Sequence, residues 1–137
     1  MDEIFNYIDM NEEEKIYCLN NLYKIGFKPR AGNIQSMKKE MDSSVKEKLP
    51  QYLFVKRKSK LIGYMFLIGE KQSLSKIFPW WAVSNNDELQ LETDLRLLDY
   101  GINICKCCKC FKLAERLESD KENHKNGIGR REESIIR

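Results

Sequence analysis

A chain of 137 residues, 42% apolar and 10% aromatic, has the size and composition of one globular domain. Its 24 basic residues are offset by 21 acidic ones, and a net charge of +3 argues against nucleic acid as a partner. The longest apolar run, residues 61–68, is far too short to span a bilayer and argues against a membrane partner.

Met1 is followed by Asp2 and Glu3, the wrong charge for the start of a signal peptide. Five cysteines without such a peptide are expected to be free thiols in a reducing, cytoplasmic setting. The first helix is expected from Asn11, with Glu14 three residues on in a capping-box arrangement. Ile16, Leu19 and Tyr23 follow at helical spacing, and Gly26 with Pro29 beyond it ends the run. A second helix is expected over residues 33–48. Its stripe of Ile34, Met37, Met41, Val45 and Leu49 reads as a core face, and Pro50 stops it. Residues 38–60 carry eight lysines or arginines against three acids, which reads as a solvated helix face and a turn.

Residues 52–56 are aromatic and β-branched enough for a strand. Arg57, Lys58, Ser59 and Lys60 form the turn, and residues 61–68 return as a strand apolar enough to be central in the sheet and buried on both faces. Gly63 within it marks a bulge or a close approach. Residues 69–76 read as a loop and 77–83 as a further strand, with Pro79 at its edge. That strand puts Trp80 and Trp81 on opposite faces. One ring is expected in the core, the other at a cleft or an interface with a protein partner.

Ser84, Asn85, Asn86 and Asp87 have turn and N-cap chemistry. A strong helix follows, with Leu91, Leu95, Leu98, Ile102 and Cys105 along one seam. A break near residues 105–109, a short strand to Leu113 and a last helix are expected next. Residues 123–131 read as a polar loop with Gly127 and Gly129, and residues 133–137 as a short final strand.

Cys105, Cys107, Cys108 and Cys110 make two overlapping C-x-x-C pairs. A closed zinc site needs a second pair from elsewhere, and Cys18 and His124 are the only candidates. Adjacent Cys107 and Cys108 diverge by about 100° on a helix, so one ion cannot take all four without strain. No metal ligand is assigned, and the four are expected to be core or incidental thiols. His124, the only histidine, lies among Asp120, Lys121, Glu122, Asn123 and Lys125, and is expected to be exposed, with no evident orienting partner. The Gly127/Gly129 pattern suits a phosphate cradle, but only eight residues follow, few for the helix that chemistry needs.

The whole order, two helices, hairpin, strand, helix, short strand, helix and terminal strand, resembles the GNAT-type N-acyltransferase fold. The hairpin of residues 52–67, with Ile62-Gly63-Tyr64 in its return strand, is similar to that family's β2–β3 hairpin. Trp80-Trp81-Ala82-Val83 resembles the strand that runs into the acyl-CoA site, and residues 89–105 the helix after it. The resemblance implies an α+β fold, a small, mostly antiparallel sheet flanked by helices, in one domain. It implies transfer of an acyl group from acetyl-CoA or a related acyl-CoA to an amine. Val83 would hold the thioester carbonyl through its N–H, and Ser84, Asn85 and Asn86 would line the pyrophosphate. That loop has no glycine and no basic residue, so it would bind through backbone N–H groups alone. Tyr64 and Glu70 are the acid–base candidates. The alternatives are a non-enzymatic inhibitor or adaptor of the same fold, and a zinc module built on the cysteines.

Overall fold

The structure is a computed structural model that describes residues 2–25, 33–69 and 87–125, with Ile25 and residues 87–90 described by backbone alone. Three strands form an antiparallel sheet in the order β1 (Glu3–Asn6), β2 (Gln51–Arg57), β3 (Lys60–Leu67). Between β1 and β2 lie α1 (Glu12–Asn21) and α2 (Ile34–Asp42), with 3-10 turns at Tyr7–Asp9 and Leu22–Ile25. Two helices follow the sheet, α3 (Asp87–Cys107) and α4 (Phe111–Lys125). The α+β class and the small antiparallel sheet are as expected. No helix among the described residues is long and apolar enough to cross a membrane.

The two-residue period of a strand sorts the core by chemistry. Leu53, Val55, Met65 and Leu67 project to one side of the sheet and pack with Leu97, Leu98, Ile102, Leu113 and Leu117 of α3 and α4. Tyr52, Phe54, Tyr64 and Phe66 project to the other side and pack with Tyr7, Leu19, Leu22 and Met41. The aromatic side is built on edge-to-face pairs, Tyr52 with Phe66 at 5.1 Å and Phe54 with Phe66 at 5.6 Å between ring centroids. On the aliphatic side α3 comes close to β3. A Cβ added at Gly101 would meet the Met65 sulfur at 2.8 Å and a Leu117 methyl at 3.2 Å.

The hairpin turns on Lys58 and Ser59, both at positive φ (49° and 68°), the two-residue geometry that matches strand twist. Val55 pairs with Gly63 and Lys56 with Leu61, so Ile62 is an extra residue and the expected bulge lies beside Gly63. β3 is buried on both faces, as its apolar run implies, but among the described residues it is an edge strand and β2 is the central one.

Several expectations are corrected. β1 was not foreseen, because four residues are too few to show alternation. α1 starts as expected, with Asn11 Oδ1 accepting from the Glu14 N–H at 2.8 Å. The second helix ends at Asp42 instead of residue 48. Ser43 Oγ donates to the Glu40 carbonyl at 2.6 Å, a local bond that competes with helix continuation. Beyond it the two N–H groups of the buried Gln51 amide are shared among the carbonyls of Val45, Lys46 and Lys48, replacing helical hydrogen bonds. Val45 is therefore exposed, and Leu49 packs with the aliphatic side. The short strand expected to Leu113 is instead the first turn of α4, which runs to Lys125 through what had read as the start of a polar loop. Leu113, Ala114 and Leu117 are buried at helical spacing, and that burial outweighs the weak local signal.

Candidate functional site

Polar side chains leave water only where partners repay the desolvation. Among the described residues five are buried: Asp2, Gln51, Thr93, Asp94 and His124. Gln51 serves the turn after α2. The other four converge on the second turn of α3, so the buried polar chemistry has one main address.

Its first half is a knot at the start of the chain. The Asp2 carboxylate accepts from Arg57 Nε and Nη2, each at 2.7 Å, and from the Thr93 hydroxyl at 2.7 Å. Arg96 Nη1 donates to the Asp2 main-chain carbonyl at 2.8 Å. β1, the turn end of β2 and α3 are thereby joined at one carboxylate. Burial opposes its ionisation, but the Arg57 and Thr93 hydrogen bonds and the guanidinium charge together hold it below the ordinary carboxylate value.

The second half joins α3 to α4. His124 Nε2 lies 3.2 Å from Asp94 Oδ2, and the two side chains are 9% and 1% exposed. Asp120, one turn earlier on α4, has its carboxyl pushed above the ordinary value by burial, with Arg116 and His124 pulling the other way. His124 thus stands between two carboxylates. The expectation of an exposed histidine without an orienting partner is corrected. Residues 120–125 continue a helix, and that helix turns position 124 inward.

The pairing had a faint trace in sequence. Asp94 falls in the helical seam between Leu91 and Leu95, where an acid on an otherwise apolar face asks for a partner. Asp2 left no trace, because its role depends on where β1 lies.

Of the candidates named from sequence, Tyr64 lies in β3 on the aromatic side, 2% exposed, its ring 4.9 Å from that of Phe66. Burial raises its hydroxyl's pKa. It faces away from α3 and α4, on the opposite side of the sheet from His124. Glu70, Trp80, Trp81, Val83, Ser84, Asn85 and Asn86 lie outside the described residues, as do Gly127, Gly129 and the expected final strand.

The cysteines form a corner. Lys109 sits at φ 61° after α3, with Cys110 N–H donating to the Cys105 carbonyl at 2.8 Å and Lys109 N–H to the Lys106 carbonyl at 3.1 Å. This is the Schellman pattern, with Cys105 in the aliphatic core and Cys110 packed against that core. Burial pushes the Cys105 thiol up to about 12 and raises Cys108, which keeps both protonated and unreactive near neutrality. Among the described residues no group of three or more His, Cys, Asp or Glu side chains is placed to hold a metal ion.

No protein-family model matches this chain, and neither the curated proteins nor the solved structures give a match.

Proposed function

We propose that this chain is a GNAT-like N-acyltransferase with reduced catalytic equipment, transferring an acyl group from an acyl-CoA to an amine. The observation that carries the reading is the order of elements. Two helices, a tight antiparallel hairpin and then a long helix beginning at Asp87 follow one another around a small antiparallel sheet. In this reading Val83 holds the thioester carbonyl, and Ser84, Asn85 and Asn86 offer backbone N–H groups to the pyrophosphate at the start of α3. A helix N-terminus favours anions, which offsets the missing basic residue. Tyr64 and Glu70 remain its acid–base candidates, and enclosure among aromatic rings makes Tyr64 the weaker of the two.

One observation favours a second reading, a protein-binding inhibitor or adaptor of the same fold. α3 passes into α4 through a three-residue corner, whereas the resemblance implies a short strand between them.

Thermal unfolding with and without acetyl-CoA separates the two. A ligand at 100 times its dissociation constant stabilises the native state by about 2.7 kcal/mol, so the acyltransferase reading expects a clear rise in Tm. An unchanged Tm at millimolar acetyl-CoA removes it. A stable hetero-complex would then support the second reading.

A further inference from the structure

We infer that Cys108 and Cys110, at the corner between α3 and α4, are a thiol pair that exchanges with small disulfides and closes into a bridge across Lys109. The pair stands or falls independently of acyl transfer. Two overlapping C-x-x-C pairs are legible in the sequence, and the fold divides the four thiols differently. Cys105 is sealed in the aliphatic core, Cys107 is exposed at the end of α3, and Cys108 and Cys110 are half-buried. The Cys110 thiol turns back over the corner, its S–H donating to the Cys108 carbonyl at 3.8 Å. Between the two residues Lys109 stands at φ 61°. Two Cα–Cα steps bent through a left-handed residue leave the outer Cα atoms about 5.5 Å apart, a common span for a disulfide. The Cys108 N–H bonds to the Ile104 carbonyl at 2.9 Å and the Cys110 N–H to the Cys105 carbonyl at 2.8 Å, so both backbones are held in place. Burial, then Cys110 and then Cys108 raise the Cys105 thiol, which places those three sulfurs together. Cys107 diverges from Cys108 by about 100° around the helix.

Burial raises the Cys108 thiol, with Cys110, Cys107 and Glu47 adding to it, so Cys110 makes the first attack. Its thiolate attacks one sulfur of a small disulfide such as oxidised glutathione. The reagent's S–S bond breaks, and the leaving thiolate takes up a proton equal to the one Cys110 released. The Cys108 thiolate is scarce near neutrality but held beside the mixed disulfide. It attacks the Cys110 sulfur and expels the second half of the reagent as a thiol. The two cysteines lose two electrons and two protons, and the reagent gains both. Cys107, turned away, forms glutathione adducts only.

Trypsin cuts after Lys106, Lys109 and Lys112, which puts Cys105, the Cys107–Cys108 pair and Cys110 in separate peptides. The whole folded chain is treated with oxidised glutathione in mildly alkaline buffer, blocked with N-ethylmaleimide, digested and mapped by mass spectrometry. The expected product is residues 107–112 lighter by two hydrogens or, once cut at Lys109, its two halves joined by a disulfide. The same bridge is expected in C107S, whose replaced side chain is exposed and whose urea midpoint should match the parent's. C108S is expected to give a lasting glutathione adduct on Cys110 and no bridge. Adducts without a bridge in the parent overturn the inference, and so does a bridge that disappears in C107S or persists in C108S. A bridge that takes in residues 97–106, or one confined to residues 107–109, assigns other partners and overturns it as well.

Discussion

The two sides of the sheet differ in chemistry although the same two strands supply both. The side facing α1 and α2 is aromatic and closed by ring contacts, and its polar atoms are used at the margin. There Tyr7 donates to Asp42 at 2.5 Å, while Lys56 lies 5.0 Å from the Tyr17 ring and 3.4 Å from Glu14. The side facing α3 and α4 is aliphatic, and it accommodates a buried carboxylate, a threonine, an aspartate and a histidine at one end. Large rings fill space and leave little room for partnered polar groups. Smaller aliphatic side chains let helices approach closely, as at Gly101, and bring polar groups on separate elements within bonding distance. The aromatic side therefore carries stability, and the aliphatic side carries the candidate chemistry.

The largest test of that division is Phe54→Ala. Phe54 is fully buried and touches Tyr7 and Phe66, so its loss should cost about 4 kcal/mol, read as a lower urea midpoint. On the proposed acyltransferase reading, any rise in Tm that acetyl-CoA gives the parent should survive in the variant wherever it remains folded. Loss of that increment in a folded variant would place ligand contacts on the aromatic side.

Asp2→Asn tests the other side. A fully buried ion pair broken on one side costs about 3–5 kcal/mol, and Arg57 keeps part of its side chain in water, so about 2 kcal/mol is expected. The pH dependence has a definite sign. Asp2 has a lowered folded-state pKa, so its contribution is fully present above the unfolded value of about 3.9 and is lost as pH falls through the folded one. Urea midpoints of parent and variant measured from pH 7 downward should therefore converge in acid. A constant gap across that range would show that the carboxylate's charge is not what the knot uses.

Much of the frame was legible in the sequence because its signals are local. The Asn11 cap, the Lys58-Ser59 turn and the bulge beside Gly63 are each set by neighbouring residues. The seam of α3 was legible only in its second half: Leu98, Ile102 and Cys105 are in the core, whereas Leu91 and Leu95 are half-buried and Leu97 takes the buried place. The candidate site was not legible, because its parts meet across long stretches of chain. Asp2 reaches Thr93 across 91 positions, and Asp94 reaches His124 across 30. Polar residues in polar company, such as His124 among Asp120, Lys121 and Glu122, give no local sign of burial. The end of α2 was missed for a related reason. The side chain that replaces its helical hydrogen bonds, Gln51, belongs to β2.

The smallest effect concerns the corner that separates α3 from α4. Lys109 occupies the left-handed position of a Schellman motif, where a side chain costs about 1 kcal/mol and glycine does not. Lys109→Gly should therefore raise stability by about 1 kcal/mol, seen as a higher urea midpoint at unchanged slope. The corner's geometry then follows from its backbone hydrogen bonds and from the packing of Cys110 on the core, and does not need the lysine side chain. Destabilisation by the glycine would mean that the Lys109 side chain holds the turn. The aliphatic side would then depend on a surface charge as well as on its packing.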